Sequence, residues 1–368
     1  MKKLVSLIFV LCLVLAVSVF LVIKQLNAKN SGTNEEIVFE VLAGHSFTAT
    51  AKNLERDGLI PNANFLSIYA RFTGGAGRMK VGEYLLNKNM SPIEVYRVLI
   101  SGKSISRTFT VSEGLNVFEI AELYEKQGFG VKNEFAKWCF DKTFIASLFG
   151  ETVDPEQLKK INSLEGYLFP ETYSLTKYTD TKTLIKNMVE LFLRNYQTVE
   201  VPEIYKDWTR HQIVTLASII EKETGAEEER PIISSVFHNR LRKDMMLQTD
   251  PTVIYGKTML TGKTVINITR EDLRTKTKYN TYTMKGLPPG PIANPGLAAM
   301  KAAVNPNSTT FLYFVSHNDG THAFSQDYEA HQKAVGTYQL DRKARAGKSW
   351  RDLKQKKPSS VEKNSKDN

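Results

Sequence analysis

The stretch from Ile213 to Thr224, IVTLASIIEKET, runs apolar for about two helical turns and then meets two carboxylates. Placed at 100° per residue, Ile213, Val214, Leu216, Ala217, Ile219 and Ile220 fill one broad arc, and Thr215, Ser218 and Lys222 take the opposite face. Such an arc belongs to a helix packed in a core. Glu223 falls inside the arc, between Leu216 and Ile219, whereas Glu221 falls on its other flank, between Val214 and Ala217. The two acids stand about 160° apart around the axis, so they cannot act as a close pair. A carboxyl crowded by aliphatic side chains loses hydration in its charged form, which raises its pKa and lets it hold a proton near neutrality. A general acid needs that property. The bulkier flanks favour Glu223 over Glu221, and a solvated helix end remains the plain alternative for both.

Around this helix, residues 182–196 and 230–243 also carry helical periodicity. The character then changes. LQTDPTVIYGK, YNTYT and GLPPGPIANPG are rich in Thr, Asn, Tyr, Pro and Gly, which predicts strands and rigid turns. Asn294 with Pro295 reads as an N-cap and first helical residue launching GLAAMKAAV. FLYFVS is a strand turned at Asn318-Asp319-Gly320 into THAFS. Tyrosines and amides in these turn-rich segments, with Tyr167, Phe169 and Tyr173 upstream, suit a sugar ring, which presents apolar faces and hydroxyl edges.

Nearer the N-terminus one internal repeat is visible. FEVLAGHSFTATAKNLERDGLIPNANF from Phe39 aligns without gaps on FTVSEGLNVFEIAELYEKQGFGVKNEF from Phe109. Each copy reads as a short strand, a turn at glycine, an amphipathic helix and a helix-ending glycine. Between the copies lie a strand around Tyr84 and a helix that Ser91 caps, with Pro92 in its first turn and its end near Gly102. Residues 37–107 therefore form a compact β-α-α-β module. The whole reads as an α+β chain.

A chain of 368 residues with 42% apolar content is long enough for two or three packed domains. Residues 4–23 are apolar apart from Ser6 and Ser18, enough to cross a hydrocarbon core of about 30 Å. A cleaved signal peptide would have a shorter apolar core and a small-x-small site, which VIKQLNAKN offers poorly. Lys2 and Lys3 keep residues 1–3 in the cytoplasm and place the remainder outside. Cys12 lies within the span and Cys139 beyond it, so no disulfide links them. Residues 341–368 carry ten Lys or Arg against four acids and few large apolar residues, which predicts a basic disordered tail. An exported chain has little access to nucleic acid, so that partner is discounted.

Other signals are weaker. YGKTMLTGKT approaches a phosphate-binding loop, yet the spacing from Gly256 to Gly262 is one residue too long. No His pair has metal-ligand spacing, and no cofactor is implied. No strained Gly-x-Ser-x-Gly elbow offers a serine nucleophile.

The ordered blocks LEGYLFPETY (Leu164 to Tyr173), LASIIEKET (Leu216 to Thr224), VFHNRL (Val236 to Leu241), MLQTDPTVIYG (Met246 to Gly256), YNTYTMKGLPPGPIANPG (Tyr279 to Gly296) and YFVSHNDGTHAFS (Tyr313 to Ser325) resemble the bacterial endolytic murein transglycosylases. The resemblance runs over about residues 35–340. It implies a membrane-anchored enzyme with a LysM-like α/β module at 37–107, a mixed α+β catalytic domain at 108–340, and no metal or cofactor. The implied reaction cuts between N-acetylmuramic acid and N-acetylglucosamine within peptidoglycan strands, leaving a 1,6-anhydro end. The second Glu of the Glu-Lys-Glu-Thr block is the family's catalytic residue, which carries over to Glu223. Gln248, Thr249, Asp250, Tyr255, Tyr279, Asn280, Tyr282, Glu165, Tyr173 and His322 are the substrate-binding candidates. The implied setting is the outer side of the bacterial inner membrane, beside peptidoglycan synthases. Glu171 stands where the family more often has Asp, and the tail after Leu340 has no evident family counterpart. Two rival readings are a hydrolysing muramidase with Asp250 or Glu165 as second acid, and a non-catalytic glycan-binding anchor.

Overall fold

The computed structural model describes residues 2–29, 34–150 and 154–340; the tail at 341–368 lies outside them. The described residues divide into two compact units, the first drawn from those before 110 and from 173–180, the second from 110–172 and 181–340.

The first unit begins with helix α1 (Lys2–Asn27), of which Ser6–Asn27 is long and apolar enough to cross a membrane. The helix outlasts the expected span, because Leu26 in its last turn is buried in the unit's core. Strand β1 (Glu36–Val41), helices α2 (Phe47–Arg56) and α3 (Ala63–Phe72), strand β2 (Gly82–Asn87) and helix α4 (Pro92–Ser101) follow. β1 and β2 pair antiparallel with Phe39 opposite Tyr84, and the alternation of β1 turns Phe39 and Val41 inward. Phe47, Ala51 and Leu54, spaced for one helical face, meet them from α2. The expected cap of α4 forms: Ser91 and Glu94 bond each other's backbone as a capping box, Pro92 opens the helix, and Gly102 closes it in the left-handed conformation.

The repeat in the sequence is a repeat in structure. Strand β3 (Arg107–Thr110), helix α5 (Val117–Lys126) and helix α6 (Lys132–Phe140) replay β1, α2 and α3. Gly44 and Gly114 turn at φ 79° and 78°, Ser46 and Asn116 cap the helices that follow, and Gly58 and Gly128 end them at φ 72° and 73°. In both copies the residue after the second glycine donates back across the helix end, Leu59 to Leu54 at 2.8 Å and Phe129 to Tyr124 at 3.1 Å.

The rest of the second unit is mostly helical. It comprises α7 (Lys142–Phe149), α8 (Pro155–Lys160), α9 (Thr181–Tyr196), α10 (Arg210–Glu223), α11 (Arg230–Arg242), α12 (Asp250–Thr261), α13 (Arg270–Arg274), α14 (Leu297–Val304) and α15 (Tyr328–Val335). Strand β4 (Thr172–Leu175) pairs with β3, and β5 (Tyr313–Ser316) with β6 (His322–Ser325) in the expected hairpin. Every residue of α10 from Ile213 to Ile220 is buried, polar faces included, so this helix is the axis of the unit. Ser218, on its polar side, donates to the Thr215 carbonyl at 2.7 Å and accepts from the Ile292 amide at 3.0 Å, which removes the cost of burying it.

Two expectations are corrected. Residues 250–261 form a helix, not strand and turn: Pro251 sits in the first turn, where its missing N–H costs nothing, and packing overrides the β-branched run Thr252-Val253-Ile254. The phosphate-loop lookalike is thus largely helix. Asn294 does not cap α14, whose cap position is Gly296. Its amide is instead consumed inside the unit, donating to the Leu115 carbonyl at 2.9 Å and to Glu165 at 3.0 Å while accepting from the Leu168 amide at 2.9 Å.

Candidate active site

Glu223 is the last residue of α10, half-buried, at the floor of a cleft of about 420 Å³. Its carboxyl accepts the hydroxyl proton of Thr249, the cap position of α12. Burial pushes the Glu223 pKa up to about 7; the Asp250 charge adds to the rise, and the Thr249 hydrogen bond and Arg240 oppose it. The negative end of the α10 dipole acts in the same direction as burial.

The walls come from three segments. Gln248 and Asp250 flank Thr249, and Tyr282 donates its hydroxyl to Asp250 at 2.6 Å. Gln248 holds a left-handed backbone at φ 49°, with its amide on the Thr281 carbonyl at 3.2 Å, and Thr281 Oγ1 also takes the Thr249 amide at 3.1 Å. Backbone held in that region costs energy and persists where neighbours over-determine it. Arg240 is one such neighbour: it donates to the carbonyls of Leu247 at 2.9 Å, Met246 at 3.2 Å and Leu312 at 2.7 Å, and reaches Gln248 Oε1 at 3.4 Å. Its guanidinium lies 5.2 Å from the Tyr313 ring centre. Tyr313 stacks on His331 with centroids 5.1 Å apart, and Tyr328 and Phe314 complete an aromatic wall.

Of the residues named from sequence, Glu223, Gln248, Thr249, Asp250 and Tyr282 come together here. The others are engaged elsewhere. Glu165, 1% exposed, accepts the Val117 amide that opens α5 and the Asn294 amide, and burial pushes its pKa up to about 8. It satisfies an orphan helix-start donor and does not line the cleft. Tyr255 is buried beside it, its ring edge-on to Tyr279 at 4.8 Å. Asn280, 0% exposed, spends its amide on the carbonyls of Thr275 at 2.7 Å, Leu273 at 3.1 Å and Asp272 at 3.2 Å, so it builds the loop that carries Tyr282. His322 bonds Glu229 at 2.7 Å through Nδ1 and packs edge-on to Phe314, behind the cleft wall. Tyr173 is buried in β4 of the first unit. Glu221, the rival acid, pairs with the buried Arg230 at 3.3 Å and accepts the Gly296 amide at 3.1 Å.

Arg240, Tyr313, Phe314, Tyr328, His331 and Gln332 line the cleft without having been named from sequence. For Arg240 a signal exists: on α11 it follows Val236 and Phe237 at helical spacing, a charge on an apolar face. Among the described residues no cluster of three or more His, Cys, Asp or Glu could hold a metal ion.

The cleft thus brings a carboxyl that keeps its proton near neutrality together with the Asp250 carboxyl, aromatic rings and an amide. Residues 39–359 match the model of the YceG-like family, and the chain belongs to that family. The match continues into the basic tail, which therefore does have a family counterpart as far as residue 359. It is 34% identical over 323 residues to the endolytic murein transglycosylase of Bacillus subtilis, covering 84% of this chain and 86% of that one. It is 28% identical over 340 residues to the endolytic murein transglycosylase of Streptococcus pneumoniae, 84% of this chain and 59% of that longer protein. A crystal structure of a YceG-like protein from Listeria monocytogenes, at 34% identity, superposes with a TM-score of 0.55 over 82% of this chain and 100% of the other.

Proposed function

We infer that the chain is an endolytic lytic transglycosylase, which cuts the bond between N-acetylmuramic acid and N-acetylglucosamine within peptidoglycan strands. The observation that carries the reading is the carboxyl of Glu223, lifted to about 7 by burial at the floor of the cleft, in a chain whose relatives bear that activity. Protonated Glu223 donates its proton to the bridging oxygen as the bond from C1 of the muramic sugar to that oxygen breaks. The resulting carboxylate then takes the proton of the same sugar's 6-hydroxyl, whose oxygen closes on C1. The products are a free 4-hydroxyl and a 1,6-anhydro ring, and Glu223 ends protonated as it began. Water is neither consumed nor released.

Thr249 steadies the carboxylate between the two transfers, and Asp250 keeps Tyr282 in place. Gln248, set by Arg240, is positioned to meet an N-acetyl or hydroxyl group, and Tyr313 offers a ring face to a sugar. A hydrolase would need a second carboxylate to activate water; Glu165 is buried within the unit, and Asp250, which accepts the Tyr282 hydroxyl, is disfavoured in that role by the transglycosylase relatives.

We further propose that α1 anchors the protein, with the remainder of the first unit and the second unit outside the bacterial inner membrane, close to peptidoglycan synthases. In this reading the first unit, with its β-α-α-β order, is a LysM-like module that holds glycan. Incubating the full chain with purified peptidoglycan in heavy-oxygen water tests the chemistry. The reading expects anhydro-ended fragments without label; labelled reducing ends would replace it with hydrolysis.

A further inference from the structure

A second groove, of about 630 Å³, opens on the same unit, and the reaction above makes no use of it. Trp208, Gln212, Leu241, Leu287 and Pro289 are among its lining residues, with Asn162 at its edge. Its relation to the cleft follows from the chain. Gln212 and Glu223 lie on one helix, about 16 Å apart along the axis and within about 20° of the same face. Two segments join the cavities: Tyr282 lines the cleft while Gly286 and Leu287 line the groove, and Leu247 and Gln248 line the cleft while Leu241 lines the groove. The exposed pair Lys285–Asp244 bridges these two segments between the cavities. The groove is therefore the cleft's neighbour along α10.

Its chemistry is that of a sugar site. Trp208 is half-buried, packed edge-on to Tyr205 and tilted against His238, so its ring is held in place without being enclosed. Leu241, Leu287 and Pro289 extend the apolar surface, and the exposed side chains of Asn162 and Gln212 supply amide N–H donors at its border, their oxygens being held by Lys142 and by Thr209. An aromatic face with flanking amides matches a sugar's apolar face and its hydroxyl and N-acetyl edges. Lys160 is the one lysine or arginine of the lining, and no glycine-rich phosphate cradle accompanies it, which disfavours a nucleotide.

We propose that this groove is a remote saccharide subsite, which grips the same glycan strand several sugar rings away from the bond broken at Glu223. The proposal rests on the transglycosylase reading and adds to it a preference for long strands over short ones. The test uses the full chain and peptide-free glycan strands in two sizes, one too short to reach the groove from the cleft. Wild-type protein is expected to show a higher kcat/KM on the long strands. Trp208→Ala is expected to lower the long-to-short ratio of kcat/KM about fivefold, mainly through KM, and Trp208→Phe, which keeps a ring, to retain most of it. Equal losses on both lengths would overturn the proposal, since they would mark Trp208 as structural, and so would an unchanged ratio. A length preference that appears only with stem peptides attached would assign the groove to peptide and overturn the saccharide assignment. Folded wild-type protein that cleaves neither strand would overturn the transglycosylase reading itself, and this inference with it.

Discussion

Replacing Glu223 by Gln keeps the shape of the side chain and removes its charge, so its effect on stability is expected to depend on pH. Burial lifts the carboxyl from 4.5 to about 7. A rise of about 2.5 units corresponds to about 3 kcal/mol. Between those two values the folded chain binds a proton that the unfolded chain has released, so stability falls as pH rises through this window and the full cost is present above about 7. Gln pays no such cost, and its amide oxygen can still accept from Thr249. Glu223→Gln is therefore expected to be more stable than the parent by up to about 3 kcal/mol near pH 8 and close to it near pH 4. For a unit of this size that is about 5–10 °C in Tm. Thermal unfolding of both proteins at the two pH values measures it. A difference that is the same at both would refute the reasoning, because it would mean that the carboxyl is as well hydrated folded as unfolded.

Other outcomes follow from the same contacts. The kcat/KM profile is expected to fall on the alkaline side with a midpoint near 7, as Glu223 loses the proton it donates; initial rates across pH check this. Thr249→Val removes the hydroxyl that favours the charged form, and the midpoint is expected to move up by about one pH unit; a downward move would contradict the assigned bond. Asn280→Ala leaves three carbonyls without their shared donor and is expected to cost about 2–3 kcal/mol in urea unfolding. Glu221→Gln takes one of three carboxylates from Arg230, which keeps Glu113 at 3.5 Å and Glu227 at 3.9 Å, and is expected to cost about 1–2 kcal/mol while the product still ends in an anhydro ring, read by mass spectrometry.

The elements readable in the sequence are those whose local chemistry and packing agree. Ser91-Pro92 starts α4 where its capping box forms, the paired glycines at 44 and 114 turn where a left-handed φ is needed, and the aliphatic arc of α10 is buried as its spacing requires. The misreadings fall where tertiary contacts decide. Thr252, Val253 and Ile254 have strand preference but lie in α12, and Asn294 has a capping residue's chemistry but gives it to Glu165 and the Leu115 and Leu168 backbone. In the site, the acid showed itself as a charge on an apolar face, and Arg240 carries the same signature unread. The wall made by Tyr313, Tyr328 and His331 has no such mark, because only the pairing of β5 with β6 and the placing of α15 bring those rings to the Glu223 cleft. Asn280 and Glu165 show the opposite: polar residues in turn-rich blocks suggest a binding surface, yet both are spent on unpaired backbone groups.

The most direct measurement is the end-group composition of purified glycan strands after exposure to the wild-type chain and to Glu223→Gln. Wild-type protein is expected to leave 1,6-anhydro ends inside what had been continuous strands, and the variant to leave none although it is folded and more stable at neutral pH. Anhydro ends accumulating at the wild-type rate with the variant would contradict the assignment of the proton to Glu223.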